Sequence, residues 1–184
     1  MAFNINEIKS QLTFGGAKAS LFQVAITNPI NGIADLKTPF MVQAAQIPEA
    51  TIGTIEVPYF GRKVKIAGDR TFAEWTVTII NDEDFLIRNA MEQWMASINA
   101  HEGNTTQLGS ASASEYKNQA QITQYSKTGA PLRTYNFNGL FPTAIGAITM
   151  DWNTTDEIVT VQVTFAYEWW NVSGGTAGDG GTNV

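Results

Sequence analysis

His101 is the sole histidine of the chain and there is no cysteine, so the inventory for nucleophilic or zinc chemistry is nearly empty. It follows a helical segment, beside Glu102 and Gly103, where a cation at a helix C-terminus explains it sufficiently. Two acidic groups invite a hard cation or an acid–base pair. Asp82-Glu83-Asp84 opens the same helix, where the dipole favours negative charge. Asp151, Asp156 and Glu157 flank a turn and lack the regular oxygen-ligand spacing of a calcium loop. The terminal glycine run, GGTAGDGGTNV, has no lysine and no helix after it, which rules out a phosphate cradle. The expectation is a non-enzyme with no metal and no cofactor.

One basic, aromatic cluster remains: Tyr59, Phe60, Arg62, Lys63 and Lys65. Set in a chain of net charge −6, it is weak as a nucleic-acid patch, which normally shows as a basic excess. Two readings stay open. A charged hairpin tip can meet an acidic patch on a neighbouring subunit, or lysines can guard a solvated edge strand.

The elements that carry these residues are mostly strands. Leu21 to Thr27 reads as the first, ended by Asn28-Pro29, and Thr38 to Gln46 as the second. Thr51 to Tyr59 and Arg62 to Ala67 form a hairpin, followed by a Gly68-Asp69-Arg70 turn. Thr71 to Ile80 alternates, with Trp75, Val77 and Ile79 on one face. Asn81 is read as the N-cap of a helix over about 82–99, whose Ile87, Met91, Trp94, Met95 and Ile98 form one stripe. Strands follow near Gln119 to Tyr125 and Leu132 to Leu140, then a turn at Phe141-Pro142 leads to Ala147–Trp152. Glu157 to Trp169 is read as one closing strand. The sum is a mainly β (α+β) chain, an antiparallel barrel or sandwich of seven or eight strands with one flanking helix. Residues 1–173 are expected to form a single domain with a mobile arm over 1–19, and 174–184 a disordered tail.

Composition bears on partners. Hydrophobic residues make up 43% and charged residues 15%, against an average of about 25% charged. A charge-poor surface is tolerable when partners cover much of it; a Thr/Asn/Gln/Ser-rich surface is the plain alternative. The polar start, MAFNINEIKSQ, and the lack of a long apolar run lead to the expectation of a soluble protein without a membrane anchor, made in a cytoplasm.

Gly61 through Thr78 reads Gly-Arg-Lys-hydrophobic-x-hydrophobic-Ala-Gly-Asp-Arg-Thr-Phe-x-x-Trp-Thr-Val-Thr. With Leu21-Phe22-Gln23-Val24, Glu115-Tyr116-Lys117, Gln124-Tyr125, Gly139 to Thr143, Asp151-Trp152 and Glu168-Trp169-Trp170, this order of residues resembles the tail tube proteins of contractile-tailed (myovirus-type) bacteriophages. The likeness runs from about Leu21 to Trp170; the Gly/Ser-rich stretch after His101 and both ends depart from it. The resemblance implies homo-hexameric rings stacked into a tube inside a contractile sheath. Baseplate and terminator proteins bound that tube, and double-stranded DNA passes through it as cargo that is not bound. It also implies a place in the virion after synthesis in the host bacterial cytoplasm. The related inner tubes of type six secretion and of extracellular injection devices give a second reading, with protein as cargo. A monomeric β-sandwich binding module using Tyr59 and Phe60 is a third.

Under the tube reading, Tyr59, Phe60, Arg62, Lys63, Lys65, Asp69 and Arg70 are the candidate inter-subunit contacts. Thr160, Gln162, Thr164 and Glu168 on the closing strand, with Thr76 and Thr78 (and Glu74) on the earlier one, are the candidate lumen lining. Hydroxyls and amides offer a duplex no cations, and carboxylates repel its phosphates.

Overall fold

The computed structural model describes residues 5–12, 15–109 and 112–174. In chain order its elements are α1 (Ile5–Gln11), β1 (Phe22–Ile26), α2 (Gly32–Met41), β2 (Val42–Ala45), β3 (Ala50–Tyr59) and β4 (Arg62–Phe72). Then come β5 (Trp75–Ile80), α3 (Leu86–Ile98), β6 (Asn118–Tyr125), β7 (Pro131–Ile145), β8 (Thr160–Ala166) and β9 (Trp169–Ser173). All strand pairs are antiparallel. The principal sheet has seven strands in the order β1-β6-β7-β8-β5-β2, with β9 also on β7; β3 and β4 form a separate two-stranded ribbon.

The sheet folds over on itself at β7. Residues 131–140 of β7 pair with β6, whereas Phe141–Ile145 pair with β8. The inner faces of the two halves meet, and Trp75 stacks on Phe137 with centroids 4.2 Å apart. Alternation makes this possible: Trp75, Val77 and Ile79 on β5, and Val161, Val163 and Phe165 on β8, are all buried and share the inward face. α3 closes the core with Ile87, Met91 and Trp94. The two buried indoles find partners, Trp75 Nε1 donating to the Gln46 carbonyl at 2.8 Å and Trp94 Nε1 to that of Tyr116 at 2.9 Å, as buried N–H groups require.

Several expected boundaries move, each for an identifiable reason. The second strand shrinks to β2 because Thr38 to Met41 belongs to α2. Asn31 caps that helix by accepting from the Ile33 N–H at 3.2 Å. Its buried face is small, Ala34 and Thr38, while Ile33, Leu36 and Phe40 are exposed, so the apolar pattern marks the wrong side. Asn28 makes the expected turn, its Oδ1 accepting from Ile30 N–H, and is a buried joint as well, its Nδ2 donating to the Ala90 carbonyl.

The main helix starts at Leu86, not 82. Asn81 still belongs to the sheet end, its N–H donating to the Val159 carbonyl at 2.8 Å. The cap is Phe85 at φ 51°, and the Asp84 carboxylate accepts from Leu86 N–H at 3.0 Å.

Gly68-Asp69-Arg70 is not a turn but part of β4, where Gly68 and Asp69 form a bulge opposite the single Gly53 of β3. A Cβ on Gly68 would sit 3.1 Å from the Gly53 carbonyl oxygen, so the glycine marks close backbone approach. Phe141-Pro142 is likewise no turn. Pro142 sits at a register shift of β7, the bulge position that tolerates a missing N–H. Ala147–Trp152 forms no strand and belongs to a loop over 146–159. The closing strand is two strands, β8 and β9, broken at Tyr167-Glu168. The break shifts the alternation by one, which leaves Trp169 exposed and turns Trp170 toward Tyr135 and Phe72. The arm at 1–19 contains α1, and the tail beyond Gly174 lies outside the described residues.

Candidate assembly surfaces

The β3–β4 ribbon stands off the body, and nearly all of it is exposed. Its register sorts its side chains. Ile55 faces Ile66, Val57 faces Val64 and Tyr59 faces Arg62, all on one side; Glu56 faces Lys65 and Pro58 faces Lys63 on the other. Lys63 and Glu56 pair across that polar side at 2.6 Å. The apolar side, Ile55, Val57, Val64 and Ile66, is left exposed by the described residues, a contiguous patch of the kind that accompanies interaction surfaces. The ribbon is anchored at its base by Phe72, whose ring lies 6.0 Å from Tyr167 and 6.5 Å from Trp170.

At the tip, Phe60 (φ 41°) and Gly61 (φ 79°) both occupy the left-handed region, the geometry of a tight I′ hairpin turn that favours Asn-Gly. A bulky aromatic is strained there, and Phe60 is 92% exposed, so neither local conformation nor burial explains its presence. Strain of this kind accompanies function.

Of the expected contact residues, Tyr59, Phe60, Arg62, Lys63 and Lys65 gather at this tip. Asp69 and Arg70 lie lower on β4, near the bulge.

The candidate lumen residues divide. Thr76 faces Thr164 with hydroxyls 3.3 Å apart, Thr78 faces Gln162, and Thr160 continues the row opposite Ile80. These five share the outward face of β5 and β8. Glu168 does not join them, because it falls in the β8–β9 break and pairs with Lys117; Glu74 lies exposed between β4 and β5.

A second uncharged face, missed in the sequence, crosses the other half of the sheet. Gln23, Thr123, Thr134 and Ser173 form one row across β1, β6, β7 and β9, and Ala25, Gln121, Asn136 and Asn171 the next. Thr123 and Thr134 hydroxyls are 3.0 Å apart, and Asn136 Nδ2 donates to Ser173 Oγ at 3.0 Å. The signal was present as alternating polar residues in β6 and β7, but only strand pairing assembles them into rows.

The acidic run at 82–84 has a structural partner. Lys37 from α2 bridges Asp82 at 2.8 Å and also pairs with Asp84. This contact holds both carboxyls below their ordinary range and raises the Lys37 ammonium. Burial pushes the Asp35 carboxyl up, opposed by the Asn28 N–H it accepts. His101 sits exposed in the loop after α3, at the mouth of a shallow pocket lined by Met95, Ile98 and Phe141.

Residues 6–173 match the family model described as "Phage tail tube protein". The chain is 34% identical over 155 residues to tail tube protein gp19 of Enterobacteria phage T4, covering 84% of this chain and 90% of that one. Among solved structures, a chain of the sheath–tube complex of the extracellular contractile injection system PVC superposes with TM-score 0.60 at 16% identity, covering 94% and 99% of the two chains. A chain of the 6-fold symmetrised baseplate of the anti-feeding prophage superposes with TM-score 0.63 at 12% identity, covering 88% and 97%. The superpositions establish a shared fold, and the sequence matches establish that the chain belongs to the phage tail tube protein family.

Proposed function

We propose that this chain builds the inner tube of a contractile phage tail, six copies closing each ring and rings stacking into the conduit for the genome. The observation that carries this reading is the β3–β4 ribbon, whose uncovered apolar side and strained Phe60 tip suit contact with another copy. Supporting it, the half-sheet β2-β5-β8-β7 ends in two strand edges, β2 and Phe141–Ile145, without a strand partner among the described residues. Edges of that kind are an aggregation hazard in a monomer and a closure device in a ring. The sixfold count draws on the 6-fold symmetrised relative. On this reading the chain acts as one structural unit without catalysis, inside a sheath and between baseplate and terminator. It resides in the virion and is made in the host cytoplasm.

A protein-injecting device is the second reading, favoured by the shared fold with injection-system chains. Neighbouring capsid and terminase genes would select the phage, and neighbouring toxin genes the injector.

Negative-stain microscopy of purified protein over a concentration series tests the assembly. Rings or hollow tubes are expected, and Arg62→Glu with Lys63→Glu should leave a folded subunit that no longer grows tubes. A chain that stays monomeric even with baseplate complexes added would instead be a binding module.

A further inference from the structure

Resting on the tube reading, the strand register also bears on what the ribbon meets. Trp75 pairs with Phe165 and Ile80 with Thr160. The ribbon enters β5 at Trp75, and the 146–159 loop enters β8 at Thr160, so the two lie at opposite ends of the same strands. The ribbon and the loop themselves differ in charge. Residues 50–72 hold Arg62, Lys63, Lys65 and Arg70 against Glu56 and Asp69. The 146–159 loop holds Asp151, Asp156 and Glu157 with no cation. Asp82, Glu83 and Asp84 lie beside it, joined through the Asn81 to Val159 hydrogen bond. Lys37 offsets Asp82 and Asp84, and Arg88 pairs with Glu92, so the loop's own three carboxylates carry the contrast.

The acidic end is also apolar. Met150 and Ile158 are largely exposed and Trp152 is 99% exposed. They line an open groove of about 570 Å³ whose wall includes Asp151 and Glu157. An exposed indole in a carboxylate-rimmed groove complements an exposed phenyl ring on a cationic tip: aromatic anchors dominate interfaces, and opposed charges set their register.

We propose that the ribbon tip of one copy seats on the 146–159 loop of the next. Phe60 enters the groove formed by Met150, Trp152 and Ile158, and Arg62, Lys63 and Lys65 face Asp151, Asp156 and Glu157. The contact joins two different surfaces at opposite ends of the subunit, so repeated head to tail it closes a ring or extends a filament.

The cysteine-free chain permits a direct test. Phe60→Cys and Trp152→Cys in one chain, assembled and treated with a mild oxidant, should give a ladder of disulfide-linked copies on non-reducing denaturing gels. Phe60→Cys with Leu36→Cys, on the exposed face of α2 at the same end, should not. Normal tubes without the first ladder, or a ladder from the Leu36 variant in its place, overturn the contact and leave the tube reading intact. Wild-type protein that forms neither rings nor tubes even with baseplate complexes added removes both. Charge exchange gives an independent arm: Arg62→Glu with Lys63→Glu, and Asp156→Lys with Glu157→Lys, should each stop growth, and all four together should restore it. A fourfold variant no better than either pair counts against the contact.

Discussion

Lys37 shows how one side chain can fix the place of an element. Its ammonium holds the carboxylates that precede α3 and so ties α2 to that helix start. The carboxyls of Asp82 and Asp84 are lowered by it, so their contribution to stability is complete above the ordinary carboxylate range and fades as pH falls through their depressed values. The Lys37 ammonium is raised, so its contribution persists below the ordinary lysine range and fades at higher pH still. Lys37→Gln should therefore melt at a lower temperature than wild type between about pH 5 and pH 9, with the gap closing at both extremes. Melting curves across pH check this, and a gap independent of pH would mean that the stem of Lys37, not its charge, does the holding.

At the scale of elements, the buried strands were legible because Trp75, Val77 and Ile79 repeat every second residue, as do Val161, Val163 and Phe165. α2 was not, because its buried residues are an alanine and a threonine while its large apolar ones face outward. Gly68 and Pro142 were misread for a shared reason: both residue types punctuate turns, yet both also serve bulges, and the difference lies in the opposing strand. The ribbon tip was located by its charges, but the division into an apolar and a polar side needs the register. Gly68→Val should crowd the bulge against Gly53, re-aim the ribbon and stop tube growth. It should move the melting temperature by no more than about 2 °C, since the site lies outside the core. Calorimetry paired with microscopy separates those effects.

For the whole molecule, two uncharged faces compete to line the bore, and cargo distinguishes them. Placing Thr78→Lys with Gln162→Lys on the β5–β8 face should make tubes retain short duplex DNA at low salt and release it as salt rises. Thr123→Lys with Asn136→Lys on the other face should not. Filter binding on assembled tubes reads the difference, and the reverse result would assign the bore to β1, β6, β7 and β9. The route of β7 carries a separate, mechanical consequence. One unbroken backbone runs from the first half-sheet into the second, so the two leaves of each subunit are stitched by covalent bonds as well as by packed side chains. Load placed on one leaf therefore passes to the other along that thread, and a wall of such subunits resists shear between its layers.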